Sequence, residues 1–295
     1  MQQTFVVSGA TSGIGLAAAE QLAGLGAFVI GTGRSAARCA AAAARLGSAY
    51  PRAEVRYLVA DLALQAGVLD LAARVRKELA ARKIPSLDGL VNNAGTFTYY
   101  KSLTPDGFET QWAVNHLAPF LLTYELLPVL AASSAARVVT VSSASHYHTR
   151  LRWNDLQLRR GYNGLLAYKQ TKLCNVLFTA ELRRRLGAGS PVWAFAADPG
   201  LVFTDMGFKG NPGLVRWIWS VRRRGGMPPA ESARGIVFLA TEPSIHNSPE
   251  IYWLHGRPKA PSSYALVPEA GRRLWEISAQ MCGIPIWAQM VSGVS

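Results

Sequence analysis

Cysteine, acid and long apolar runs are all scarce in this chain. Its 295 residues include three cysteines, Cys39, Cys174 and Cys282, far apart and without a Cys-x-x-Cys pair. That excludes a disulfide framework and predicts reduced thiols of an intracellular protein. No His- or Cys-rich cluster has zinc-ligand spacing, so no metal ligands are assigned. No run of roughly 18 apolar residues and no N-terminal signal pattern occurs, and a β-prone run begins within the first residues after Met1. A soluble, cytoplasmic protein is expected. Acidic residues number 18 against 31 basic ones, for a formal net charge of +13 and a pI near 10.0. Internal repeats and long linkers are missing too; the one biased stretch is the alanine-rich segment 36–44.

What is present is ample apolar material, 49% of the residues, enough for the core of one α/β domain. Short β-prone runs recur at 4–8, 27–32, 54–60, 87–92, 136–143 and 190–197, with Ile251-Tyr-Trp-Leu254 as a further candidate. Helix-prone stretches separate them. This alternation predicts a Rossmann-type, doubly wound parallel sheet of about seven strands in a three-layer α/β/α single domain. Residues 1–135 would be mainly the cofactor-binding half and 136–295 the catalytic and substrate-binding half. Such a sheet brings Gly9, Asn92, Ser143 and Pro199 to one edge, where these folds bind ligands.

The first strand candidate, Thr4-Phe-Val-Val7, runs into Ser8-Gly-Ala-Thr-Ser-Gly-Ile-Gly15 and then into a helix-prone segment. Strand, glycine turn and helix arrive in the order that suits a dinucleotide. Gly9 allows the tight turn, Gly13 lets backbone N–H groups approach a pyrophosphate, and Gly15 permits close packing of helix on strand. After the second strand candidate no Asp or Glu stands between Glu20 and Glu54; Arg34 and Arg38 occupy that stretch. A carboxylate there would suit a ribose 2′-hydroxyl, whereas a guanidinium suits a 2′-phosphate, so NADP(H) is favoured over NAD(H). The plainer reading of Arg34 is a solvated loop arginine.

Tyr168 and Lys172 lie four residues apart, on one face of a predicted helix. An ammonium beside a phenol favours phenolate and is expected to draw the phenol from about 10 toward the working pH. Ser143, closing the run Arg137–Ser142, adds an uncharged hydrogen-bond donor. Phenol and hydroxyl together suit a carbonyl oxygen on which negative charge grows. No Gly-x-Ser-x-Gly elbow surrounds Ser143, so His146 and His148 are expected at a pocket rim or in a loop rather than as partners of a serine nucleophile. Alternation along the strand gives Ser142 a structural role, and His116 reads as a packed helix residue.

Ser8 to Gly15, Asn92-Asn-Ala-Gly95, Asn115, Ser143, Tyr168 and Lys172, joined by Pro199-Gly200 and Thr204, resemble the short-chain dehydrogenase/reductase family over nearly the whole chain. The segments 114–123, 165–178 and 272–278 are similar to its retinol dehydrogenase branch, and to the dehydrogenase/reductase X-linked and WW-domain oxidoreductase proteins. The resemblance implies that Tyr168 exchanges the proton with the substrate oxygen. Lys172 would hold the nicotinamide ribose, Ser143 would bond the substrate oxygen, and Asn115 would support a water linking Lys172 to solvent. It places Ser8, Thr11, Ser12 and Ile14 with the three glycines around the cofactor phosphates. Asp61 and Leu62 would meet the adenine; Asn92, Ala94 and Gly95 would line the adenosine side. Pro199, Gly200, Val202 and Thr204 would contact the nicotinamide.

Segment 205–229 is expected to be a lid, with Trp217 and Trp219 on an apolar piece; Phe97, Tyr99 and Tyr100 add aromatic surface or simply pack in the core. A small lipophilic carbonyl or alcohol is the expected substrate, and a homo-oligomer is allowed for. The basic stretch 209–224 admits peripheral membrane contact, or only steering of an anionic cofactor. A rival reading keeps the fold as a catalytically weak, nucleotide-binding interaction or regulatory protein. Nucleic-acid binding has no recognisable motif behind it and is not expected. If Arg34 grips a 2′-phosphate, Arg34→Asp weakens NADPH far more than NADH in paired titrations; equal losses would remove the assignment.

Overall fold

The computed structural model describes residues 2–202 and 226–286. Seven of the apolar runs become parallel strands: β1 (Thr4–Val7), β2 (Phe28–Gly33), β3 (Val55–Val59), β4 (Gly89–Asn92), β5 (Ala136–Val141), β6 (Val192–Asp198) and β7 (Tyr252–Leu254). An eighth, β8 (Arg257–Pro258), pairs antiparallel with β7. The sheet thus has one strand more than expected. It is two residues long, too short to show alternation, and is created by the His255-Gly256 turn, where both residues have positive φ as tight hairpins require.

The strand order β3-β2-β1-β4-β5-β6-β7-β8 reverses direction of growth between β1 and β4, which opens a crevice at their carboxyl ends. Alternate side chains feed two cores. Val6, Phe28, Ile30 and Val138 face the layer of α3 (Gln65–Ala81), α4 (Thr110–Ala131), α5 (Gly164–Leu186) and α7 (Pro268–Cys282). Phe5, Val7, Val29 and Val139 face the layer of α1 (Gly13–Gly24), α2 (Ala36–Ala49) and α6 (Pro229–Thr241). Strands buried on both faces explain why these runs are continuously apolar.

Helix α4 is long and apolar enough to cross a membrane, yet most of it is packed inside the fold. It holds the site through a π turn at Ala113–Leu117, which carries Asn115. His116, next in sequence, is buried; its Nε2 lies 2.7 Å from the Ser278 hydroxyl of α7, and burial holds its imidazole down at about 3. Helix α5 starts where the Asn163 side chain accepts from the Leu166 N–H at 2.9 Å, and Arg183, Arg184 and Arg185 sit in its last turn, where cations are favoured. At Gly164 a Cβ would stand 2.3 Å from the Thr98 carbonyl oxygen, so only glycine lets the loop after β4 lie against the start of α5.

Phe120 of α4, Phe178 of α5 and Trp275 of α7 meet ring to ring, with centroids 4.9–5.9 Å apart, and lock these helices together. Phe120→Ala is expected to cost about 3–5 kcal/mol of stability, read as a lower urea midpoint at unchanged slope.

Candidate active site

The glycine turn is built against the end of β4. The Ser8 hydroxyl accepts from the Asn93 and Ala94 N–H groups, both at 3.0 Å, and the Asn93 side chain donates to the Ser8 carbonyl at 2.9 Å. Gly9 and Gly13 have φ of +67° and +56°, the left-handed region that glycine enters without strain. A Cβ on Gly15 would lie 2.3 Å from both the Asn93 amide nitrogen and the Gly9 carbonyl oxygen, so its place against the turn requires its lack of a side chain. Ser12, the N-cap of α1, makes no side-chain capping bond, and the first turn of α1 has no acidic side chain. Uncapped first-turn amides beside a side-chain-free turn fit a phosphate group.

Around this turn the nominated cofactor residues fall into place unequally. Arg34 is exposed just past β2, and Arg38 reaches back from α2 to the Thr11 carbonyl at 3.5 Å. Neither forms an ion pair among the described residues. Asp61 is exposed just past the carboxyl end of β3 and accepts from the Ala63 N–H at 3.0 Å, while Leu62 packs on the core. Asn92 differs from expectation in its direction: its side chain is buried and donates to Thr123 of α4 at 2.9 Å. Asn93, within the Asn92–Gly95 segment but given no role of its own from the sequence, performs the clamping. Strand alternation explains the pair, since neighbours at a strand end point opposite ways. Tyr57 was also missed; it donates to the Ala10 carbonyl at 2.8 Å, its ring filling the space left free by Gly31.

Ser143, Tyr168 and Lys172 converge beyond the ends of β5 and β4. The Ser143 hydroxyl lies next to the Tyr168 phenol; it donates to the Ser145 hydroxyl at 3.2 Å and accepts from the Ser145 N–H at 3.1 Å. Buried Lys172 donates to the Val141 carbonyl at 3.0 Å, and its Nζ lies 5.5 Å from the Tyr168 ring centroid. A Cβ placed on Gly95 would come within 3.7 Å of that Nζ and 3.5 Å of the Asn115 oxygen, so the glycine keeps this flank open. Asn115 exchanges bonds with the Thr96 backbone at 2.7 and 2.9 Å and donates to Thr171 at 3.1 Å. That leaves one lone pair of its side chain for the expected water. Ser142 donates to the Lys172 carbonyl at 2.7 Å and so holds α5 in place, the structural part expected of it.

Two expectations are corrected. Tyr168 is not drawn down: burial, with a smaller contribution from the Asp198 charge, pushes its phenol up to about 12. Lys172 is itself deprived of water and falls to about 8, so the desolvation of both groups outweighs their attraction. His146 is not at a rim but fully buried under the Ser143 turn, its Nδ1 2.8 Å from the Ser143 carbonyl and its Nε2 accepting from the Ser262 N–H at 3.0 Å. His148 is an exposed loop residue.

Pro199 accepts from the Ser232 hydroxyl at 2.7 Å, and Gly200, with φ +72°, has the His255 ring where a Cβ would be. Val202 bridges to Met227. Thr204, Trp217, Trp219, the basic stretch 209–224 and all of the expected lid before Gly226 lie outside the described residues. Phe97 is buried edge-on against Tyr168, with centroids 5.9 Å apart, whereas Tyr99 and Tyr100 are exposed. All three cysteines are free and buried. Because Asn93 ties the glycine turn to β4 from both sides, Asn93→Ala is expected to raise the dissociation constant for a reduced nicotinamide dinucleotide about tenfold in a fluorescence titration, with circular dichroism unchanged.

The family profile described as short chain dehydrogenase matches residues 3–213. The chain is similar to human retinol dehydrogenase 14, 34% identical over 304 residues that cover 96% of this chain and 87% of that protein. It is also similar to mouse polyprenol dehydrogenase, 35% identical over 288 residues, 94% of this chain and 83% of the relative. A crystal structure of an uncharacterized protein from Mycobacterium Paratuberculosis superposes with a TM-score of 0.72 at 33% identity, covering 97% of this chain and 95% of that one. With the glycine turn and the hydroxyl–ammonium cluster at one edge of the sheet, the chain belongs to the short chain dehydrogenase family, in the neighbourhood of the retinol dehydrogenases, as an oxidoreductase of CH–OH groups with a nicotinamide cofactor.

Proposed function

We propose that the protein is an NADP(H)-dependent oxidoreductase that interconverts a lipophilic carbonyl compound and its alcohol, of retinoid-like, steroid-like or long-chain aldehyde or ketone type. The observation that carries this reading is the Ser143–Tyr168 hydroxyl pair beside the buried Lys172 ammonium. The residues that would hold the cofactor are the Ser8–Gly15 turn with Arg34, Arg38, Asp61, Asn93 to Gly95, Lys172 and the Pro199–Thr204 segment. When bound, the nicotinamide supplies or accepts the hydride.

The chain's own residues manage the substrate oxygen and its proton. Ser143 and Tyr168 present two hydroxyl groups where negative charge develops on a carbonyl oxygen. With its phenol near 12, Tyr168 carries its proton at neutral pH and can pass it to a carbonyl oxygen; reduction is the proposed direction because NADPH usually serves as hydride donor. Lys172, near 8, is mostly cationic at pH 7 and so stabilises the phenolate that this donation leaves behind. Phe97 closes the apolar side of the phenol, and Tyr99, Tyr100 and Leu201 leave apolar surface exposed in the adjoining loops, which suits a bulky lipophilic partner. Arg34 and Arg38, with no acid near them in sequence, support the 2′-phosphate form of the cofactor. Its relatives include a retinol dehydrogenase and a polyprenol dehydrogenase, which agree with a lipophilic class without choosing within it.

A panel of retinal, a steroid ketone and decanal, followed by NADPH absorbance and repeated with NADH, tests substrate and cofactor together. Tyr168→Phe is expected to lower kcat by at least about 100-fold while NADPH still binds. Turnover that survives this substitution would remove Tyr168 as the proton donor, and no turnover with any carbonyl in the wild-type chain would favour a nucleotide-binding regulatory protein on the same fold.

A further inference from the structure

Behind the Ser143–Tyr168–Lys172 cluster lies a buried carboxylate that the proposed mechanism does not use. Asp198 ends β6 and is 3% exposed. Its Oδ2 accepts from the Tyr252 phenol of β7 at 2.6 Å, its Oδ1 accepts from the Gly200 N–H at 3.0 Å, and Lys259 Nζ stands 3.8 Å away. A carboxylate taken out of water at this depth is costly unless its charge is answered. The direct answer is a phenol, one amide and a partly exposed lysine.

The position of Asp198 on the sheet connects it to the reacting groups. Val141, whose carbonyl holds the Lys172 ammonium, pairs with Ala197 across β5 and β6. Asp198 follows at once, and by alternation shares the face of Ala196, which packs in the core layer that contains α5. A chain of contacts completes the link. His146 bonds the Ser143 carbonyl and lies ring to ring with Tyr252 at 4.7 Å, and Tyr252 holds Asp198. The charged and titratable groups around Asp198 are therefore Tyr252 on β7, Lys259 after β8, His146 and Tyr147 in the Ser143 turn, and Tyr168 and Lys172 on α5. His255 faces the same turn from beyond Gly200.

We propose that Asp198 is a positioning residue of the active site: it shapes the Pro199–Val202 turn and, through its charge, sets the pH range in which the Tyr168–Lys172 pair works. The Gly200 amide and the Tyr252 phenol hold the carboxylate still, so its field on the pair is fixed. Its negative charge opposes phenolate at Tyr168, adding to the effect of burial, and favours the ammonium at Lys172, where it offsets part of the larger effect of burial. The buried acid thus adds to burial in keeping the proton on Tyr168. Lys259 partly offsets this field from the rim.

The inference rests on the proton role proposed for Tyr168, and its test separates the two. Tyrosinate absorbance is followed as pH rises in the full-length protein, and Tyr168 is assigned by difference from Tyr168→Phe. In Asp198→Asn, which keeps the shape and loses the charge, the Tyr168 titration and the pH profile of decanal reduction with NADPH both move to lower pH, by roughly 1 unit. Lys259→Met, at a partly exposed site, moves both to higher pH by less. A purely structural Asp198 would change melting temperature or kcat and leave the titration where it was. Coincident Tyr168 titrations in wild type and Asp198→Asn would overturn the proposal; should Asp198→Asn fail to fold, the Lys259→Met titration decides in the same way. Turnover retained in Tyr168→Phe would remove the proton role and leave the measured coupling intact.

Discussion

An ammonium buried at Lys172 has to be held by something, and the way it is held organises the catalytic half of the protein. Its direct partner is a neutral carbonyl at the end of β5, so the cost of burial is only partly answered and the group is less basic than a free lysine. This requires α5 to sit at one height on the sheet, with Val141 as its stop. Ser142, bonding the Lys172 carbonyl, and Asn175, donating to the same Val141 carbonyl at 3.0 Å, keep the helix there. Tyr168, one turn earlier on α5, then falls beside Ser143.

The cofactor side is organised by a steric constraint. Gly9 and Gly15 let the turn after β1, the end of β4 and the start of α1 approach more closely than side chains allow, and Ser8 and Asn93 convert that closeness into hydrogen bonds. The same close packing leaves the first amides of α1 without a side-chain cap. Close approach and open amides are one feature seen from two directions: a Cβ at Gly15 would push the helix away and spoil both.

Much of this was readable from residues alone. The apolar runs of the central strands are continuous because both faces of β1, β2, β4 and β5 are buried, and the glycine spacing after β1 is unusual enough to name its use. The Tyr168–Lys172 interval and the serine closing β5 are legible as well, since helix and strand periods place them. Reading failed where direction or burial decides. Asn92 and Asn93 are identical in type, and only the pleat shows that the first points to Thr123 and the second to the glycine turn. His146 looked like a loop residue because three residues from a strand end says nothing about depth. The balance at Tyr168 went the opposite way for the same reason: charge proximity is legible in sequence, desolvation is not.

The order of strands and helices, the edge at which ligands gather and the residue types available there followed from local patterns, because secondary structure and strand crossover obey short-range rules. Tertiary structure alone decided that Asp198, Tyr252 and His146, far apart in sequence, stand together behind Ser143. Residues brought together by different strands leave no period to read; their meeting depends on sheet register and on which faces the helices cover.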